Sequence, residues 1–271
     1  MKTRDVKLPV VPAGRPVQLR DADARLESPF ADAAALQRAT NRLVKRLVKQ
    51  QRVFWADGRY AMLVVLQGRD ASGKDGTIRK VFGRVNPQGC TVASFKVPTE
   101  IERSHDFLWR VHQRVPPRGM IGIFNRSHYE DILVPRVHQL VPASVWKARH
   151  EQINDFERML AANGVVILKF MLHISDAEQR RRFEARISDD TKGWKFRAGD
   201  LDDRRRWPRY SEAYREILRR TSAAWAPWFI VPADDKKLRN YLIARTVTET
   251  MDKLRLRYPL LDPALRELAI E

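Results

Sequence analysis

Apolar residues along the chain follow two alternating periods. Between Pro29 and Gln51 the positions Ala35, Leu36, Ala39, Leu43, Leu47 and Val48 recur at helical spacing, which predicts an amphipathic helix. The next apolar stretch, 61–66, is continuous, short and branched, as expected of a strand covered on both faces. Further strands are predicted at 90–97, 119–124, 164–171 and 228–231, with helical stretches over 100–115, 145–162, 175–188, 203–221 and 235–257. Strands that alternate with helices in this way imply a doubly wound α/β fold, a five-stranded parallel sheet flanked by helices. Such a sheet takes its ligand at the carboxyl ends of the strands. Residues 1–28 carry Pro9, Pro12 and Pro16 without a sustained period, and read as an extended arm able to pack on a neighbour. Residues 29–271 then form a single domain, with no internal repeat or low-complexity tract.

The first strand breaks into a glycine-rich stretch, GRDASGKDGT at 68–77. Gly68, Gly73 and Lys74 have the G-x-x-x-x-G-K spacing in which backbone N–H groups and a lysine hold phosphate oxygens. Strand, loop and helix in succession are the context that motif needs. The position after the lysine, ordinarily a hydroxyl that holds magnesium, is Asp75, and a further carboxylate, Asp70, lies inside the loop. Each carboxylate would repel a phosphate charge at 4 Å by about 4 kcal/mol at an effective dielectric near 20. A divalent cation converts that repulsion into a bridge. Phosphate chemistry with a metal, in a non-standard arrangement, is the expectation. Asp70 is the expected metal ligand, and Asp75 starts the helix, where negative charge is favoured.

A second cluster follows the strand ending at Phe124: Asn125, Arg126, Ser127, His128, Tyr129, Glu130 and Asp131. Asn125 stands where phosphate-loop proteins usually carry a magnesium-binding aspartate. The Arg126 fork suits a phosphate oxygen, and Glu130 is a nearby acid; Asp131 and Arg136 read equally well as surface ion pairs. A third, basic stretch runs from Arg180 to Arg220. Ser175 and Glu178 form a capping box that starts a helix on which Phe183 and Ile187 would face the core. Arg180, Arg181, Arg182 and Arg186 would then spread over its exposed side and edges. After a loop with Lys192, Trp194, Lys195 and Arg197, a second helix carries Arg204, Arg205, Arg206 and Arg209. Helix, basic loop and helix between two sheet strands is how a mobile lid is built, and the lid is placed at about 175–220.

Composition narrows the partners. Lys plus Arg number 51 against 33 Asp plus Glu, a net charge of +18, which favours a polyanion. The single cysteine, Cys90, excludes an intramolecular disulfide framework and fits a reducing cytoplasm. No apolar run approaches a membrane span, and the N-terminus lacks a signal-peptide core. The six histidines show no H-x-x-x-H or H-E-x-x-H pair, which argues against zinc. No aromatic-basic signature of an RNA reader is present, so no nucleic-acid partner is expected.

Taken together, GRDASGKDG at 68–76 and NRSHYED at 125–131 resemble the polyphosphate kinase 2 family. The similarity continues through SHDFLWR at 104–110, TKGWKF at 191–196 and PWFIVPADDKK at 227–237. Many members read D-R-S-W-Y-N at the second motif. Asn125, His128 and Glu130 here look like the subgroup called class III, which phosphorylates both nucleoside monophosphates and diphosphates. The resemblance implies a thymidylate-kinase-like phosphate-loop fold with a helical lid, assembled as a homodimer or homotetramer. It implies reversible, magnesium-dependent phosphotransfer (manganese being possible) between inorganic polyphosphate and AMP or ADP. Carried residue by residue, Asp70, Lys74, Arg126 and Glu130 would be catalytic. Gly68, Arg69, Ala71, Ser72, Gly73, Asp75, Gly76, Thr77, Arg110, Asn125, Lys192 and Lys195 would bind phosphate or nucleotide. Two other readings compete: an ATP-dependent nucleoside monophosphate kinase, which leaves the basic surface unexplained, and a nucleic-acid-binding phosphate-loop protein.

Overall fold

The apolar run at 61–66 becomes the middle strand of the sheet, and all of its residues are buried. The computed structural model describes residues 6–263, apart from the side chains of Lys195 and Ala198. The first part of the chain forms α1 (Ala33–Asp57), β1 (Ala61–Gln67), α2 (Lys74–Thr77), β2 (Cys90–Ser94), α3 (Glu100–Ser104), α4 (Trp109–His112) and β3 (Ile121–Asn125). Then come α5 (Glu130–Val137), α6 (Ala143–Ala162), β4 (Val165–His173), α7 (Asp176–Ile187), α8 (Ala198–Arg205), α9 (Trp207–Thr221), β5 (Trp228–Pro232) and α10 (Lys236–Lys253). The strands are parallel and ordered β2-β3-β1-β4-β5. β1 thus lies between β3 and β4, and its carboxyl end is the switch point at which such sheets bind ligand.

Alternation along β1 sorts the core into two layers. Met62, Val64 and Leu66 pack with Leu47 and Phe54 of α1 and Leu242 and Val247 of α10. Leu63 and Val65 face the other way, onto Ile132 of α5, Ile153 and Phe156 of α6 and Ile217 of α9. α1 begins at Asp32, whose side chain accepts from Ala35 N at 2.6 Å, and continues past Gln51 because Phe54 still belongs to its buried stripe.

Several expectations need correction. The helix expected over 100–115 is two short ones, broken where Asp106 Oδ1 accepts from Leu108 N at 2.9 Å. The helix expected over 203–221 divides at Arg206, because Pro208 sits in the first turn of α9, where a missing N–H costs nothing. α2 widens directly into a π-helical turn, Ile78–Phe82. α5 was not foreseen, since it is short and contains Pro135. Ile187 is 57% exposed, whereas Phe183 is buried as expected. α7 ends at Ile187, so that residue lies beyond the helix's contact with the core.

The arm packs on its own chain. Val11 N donates to Trp228 O at 2.8 Å, Ser222 Oγ donates to Val11 O at 2.6 Å, and Val11, Leu19 and Ala24 are buried. Residues 1–5 of the arm and 264–271 of the expected 29–271 domain lie outside the described residues.

Candidate active site

The end of β1 turns sharply because its glycines adopt backbone that side chains disfavour. Gly68 has φ +150°, and a Cβ there would lie 2.7 Å from Leu172 O. Gly73 has φ +101°, and a Cβ there would lie 2.0 Å from Arg239 Nη1. The loop coils around the Lys74 ammonium, which donates to Gly68 O at 2.6 Å and Arg69 O at 3.3 Å. Lys74 is buried, and burial, reinforced by the nearby Arg126 charge, pushes its pKa down to about 8. An ammonium held in this way gains most from an incoming anion.

β3 delivers the second motif beside the loop. Leu66 pairs with Asn125, and Arg126 N donates to Leu66 O at 3.0 Å. Side chains then join the two motifs. Arg126 Nη2 meets Asp70 Oδ1 at 2.5 Å, Asn125 Nδ2 donates to Asp75 Oδ1 at 2.8 Å, and Gln67 Nε2 donates to Glu130 Oε1 at 3.1 Å. Glu130 Oε2 lies 3.8 Å from Arg126 Nη1, and Glu130, followed by Asp70, raises the arginine's pKa. Arg126 has φ +62°, a left-handed conformation for a non-glycine residue and a strain of about 1–3 kcal/mol. The bonds to Leu66 and Asp70 and the nearby Glu130 charge hold it there. Asp70, Lys74, Arg126 and Glu130 therefore converge at the carboxyl ends of β1 and β3.

His128 and Tyr129 of the same motif point inward and anchor it. His128 Nε2 lies 3.1 Å from Glu157 Oε1, and Tyr129 Oη donates to the same oxygen at 2.8 Å. Lys169 Nζ donates to Glu157 Oε2 at 2.5 Å, Tyr129 Oη at 2.8 Å and Thr221 O at 2.7 Å. Burial pushes the Glu157 pKa up, but Lys169 and His128 outweigh it and hold the carboxyl below its ordinary value. A fully buried ion pair thus fixes the segment that carries Arg126 and Glu130. Lys169 was missed because one lysine in GVVILKFM gives no sign of its partner twelve residues earlier.

Other expected site residues fall into different settings. Arg69 is buried over the Trp207 ring, 3.8 Å from its centroid, and donates to Ser211 Oγ at 2.5 Å, joining the loop to the root of the lid. Ala71 has φ +61°, and the Ser72 hydroxyl is buried. Thr77 turns toward α10, with Oγ1 3.4 Å from Asn240 Oδ1, and Gly76 lies beside Arg239. The hydrogen bonds of Arg110 go to Lys96 O, Glu102 and Asp131, which makes it an internal strut. Lys192 is exposed on the lid and paired with Asp189; the side chain of Lys195 lies outside the described residues.

Arg182 is the main correction. Far from spreading over the exposed side, it is buried and donates to Ala71 O at 2.8 Å and Ser72 O at 3.1 Å. Gln179 Nε2 likewise reaches Asp70 O at 2.9 Å, and Arg204 Nη1 bonds Gln179 Oε1 at 3.0 Å. Gln67, Gln179 and Arg239 carry no local sequence signal for these contacts.

Three carboxylates and an amide around the loop offer hard oxygen donors, which suit magnesium or manganese better than zinc. Among the described residues no group of three or more His, Cys, Asp or Glu forms a protein-only metal cage. The donor set fits an ion that keeps water and substrate phosphates among its ligands.

A parallel sheet with a glycine loop after β1, an enclosed lysine and a basic helical lid defines a phosphate-loop kinase fold. The polyphosphate kinase 2 family profile matches residues 31–258. An AMP/ADP-polyphosphate phosphotransferase of Meiothermus ruber is 53% identical over 84% of this chain and 86% of its own length. An ADP-polyphosphate phosphotransferase of Rhodopseudomonas palustris is 45% identical over 83% of this chain and 82% of its own. A crystal structure of polyphosphate kinase 2 from Arthrobacter aurescens superposes with a TM-score of 0.86 at 34% identity, covering 96% of this chain and 97% of that one. The chain belongs to the polyphosphate kinase 2 family. Phosphotransfer in that family generally employs a divalent metal. Among the described residues no helix is long and apolar enough to cross a membrane.

Proposed function

We propose that the protein transfers phosphoryl groups from inorganic polyphosphate to AMP and ADP, giving ADP and ATP, reversibly. The observation that carries this reading is the convergence of Lys74, Asp70, Arg126 and Glu130 on one loop of a basic chain. The similarity to a relative named for both AMP and ADP supports the breadth of acceptor. An oxygen of the acceptor phosphate forms a bond to the terminal phosphorus of the polymer as the bond to the next bridging oxygen breaks. The donor leaves one phosphate shorter. The acceptor oxygen is already anionic near neutral pH, so alignment and charge neutralisation do the work and no strong base is needed.

In this reading Lys74 and the amides of Gly68 to Thr77 hold the transferred group, and Arg126 binds an oxygen that gains charge in the transition state. Glu130 orients Arg126 and lies near the acceptor. Asn125 fixes Asp75, while Lys192 and Lys195 bring lid charge to the polymer. Magnesium, or manganese in its place, would be held by Asp70 with phosphate oxygens and would neutralise charge between donor and acceptor. Homodimeric or homotetrameric assembly and a cytoplasmic location complete the proposal, supported by the family resemblance and the single cysteine.

The test feeds AMP or ADP with either long-chain polyphosphate or ATP and follows products by chromatography. ADP and ATP should form with polyphosphate as donor. Product from AMP only when ATP is supplied would replace this reading with the nucleoside monophosphate kinase.

A further inference from the structure

The guanidinium of Arg239 lies behind the phosphate loop and, among the described residues, has no partner of opposite charge in hydrogen-bonding reach. It is 2% exposed, and its bonds go to neutral oxygens: Ser72 O at 3.0 Å, and Asn240 Oδ1 at 3.0 and 3.2 Å. Three other buried cations of this chain are matched by a carboxylate. Lys169 has Glu157, Arg110 has Asp131, and Arg182 has Glu178 at 2.7 Å. Lys74 and Arg69, which belong to the same loop, bond only neutral groups among the described residues. Asp235 attracts Arg239 only at longer range, and burial, then the neighbouring Arg182 charge, lowers its pKa to about 9, so it stays charged at neutral pH. A buried charge without a counter-ion is costly, and its retention calls for a compensating charge.

The position of the guanidinium indicates where that charge comes from. Ser72 O accepts from both Arg239 and Arg182, at 3.0 and 3.1 Å. In a planar trans peptide the N–H points opposite to the C=O, so the Gly73 N–H is directed away from the two arginines, toward the front of the loop. Gly73 leaves the space in which Arg239 approaches, since a Cβ there would meet its Nη1 at 2.0 Å.

We propose that Arg239 is a positioning residue for phosphate, a buried cation that acts through the Ser72–Gly73 peptide and whose counter-charge is the bound phosphate. This rests on the reading of residues 68–76 as a phosphate site. Arg239 touches no substrate. It orients and polarises the amide that does, and it favours the anion through the thickness of one peptide.

Two substitutions separate charge from hydrogen bonding. Arg239→Gln keeps a donor for Ser72 O without the charge, and Arg239→Lys keeps the charge. Tripolyphosphate binding is measured by calorimetry at fixed salt, alongside the melting temperature of the unliganded protein. Arg239→Gln should weaken binding about tenfold (~1.4 kcal/mol) without lowering the unliganded melting temperature, and Arg239→Lys should stay within about threefold of wild type. Equal binding by Arg239→Gln and wild type would overturn the proposal. So would equal losses in the two variants, which would mean that shape alone matters. Should Arg239→Gln fail to fold, a tenfold loss in Arg239→Lys overturns the proposal and retained binding supports it. Absence of tripolyphosphate binding by the wild-type protein would instead overturn the phosphate-site reading beneath it.

Discussion

Lys74 makes activity and stability respond to pH in opposite directions. Burial, aided by Arg126, places its pKa at about 8 in the folded protein, against 10.5 for an ordinary lysine. Only the ammonium form attracts phosphate. Raising the pH from about 7 to about 9 takes the charged fraction from roughly nine-tenths to roughly one-tenth, so kcat/KM for polyphosphate should fall about ninefold across that range and approach about tenfold per unit beyond it. The stability sign is the reverse. Between about 8 and 10.5 the folded state holds fewer protons at this site than the unfolded chain, so the unfolding free energy rises with pH across that window. The penalty for burying the ammonium is fully present below pH 8, and its relief amounts to ~3 kcal/mol at most.

The assay follows initial ATP formation from ADP at non-saturating polyphosphate, from about pH 6.5 to about pH 9.5 at constant ionic strength. Urea unfolding is measured at the same pH values. Lys74→Arg stays charged throughout, so its alkaline decline should vanish even where its activity is lower. Lys74→Met should lose the stability gain, which separates Lys74 from other groups that titrate in the window. A wild-type kcat/KM flat to pH 9.5, or the same decline in Lys74→Arg, would refute the assignment.

Asp70→Asn removes the carboxylate that pairs with Arg126 and should lower turnover by about 100-fold or more while circular dichroism stays native; near-normal turnover would sink the metal and Arg126 assignment. Gly73→Ala forces a side chain into left-handed backbone and against Arg239, and should cost about 2 kcal/mol or more, read as a lower melting temperature. Lys169→Met leaves Glu157 buried without its cation and should cost about 3–5 kcal/mol in urea unfolding, an effect that adding Glu157→Gln should partly reverse. Unchanged stability in the single variant would mean that the pair is not ionised.

What could be read from the sequence was what is local. The strands announce themselves because a sheet covered on both sides needs unbroken apolar runs, and 61–66, 121–124 and 165–168 supply them. The loop was legible because its glycines and lysine are contiguous, and the second motif because it follows a strand. Pairings between distant side chains left no such mark. Arg182 reads as one of a row of surface arginines, yet its distance from Phe183 and Glu178 along α7 turns it beneath the loop. Arg110 lies in a stretch that resembles the family, but its bonds are to Lys96, Glu102 and Asp131. The breaks at Asp106 and Pro208 depend on which of two competing local bonds wins, and periodicity does not weigh them.

The long-range ties have a consequence for the order in which the protein is made. The phosphate loop emerges from the ribosome early, but the guanidinium behind it belongs to a residue 167 positions later. The N-terminal arm waits longer still, because the hydroxyl that donates to Val11 O is 211 positions away. A nascent chain therefore carries the glycine motif for most of its synthesis without the parts that shape it. Contacts this distant form slowly and late. A chain cut short before α10 should not be a weak enzyme but an inert one.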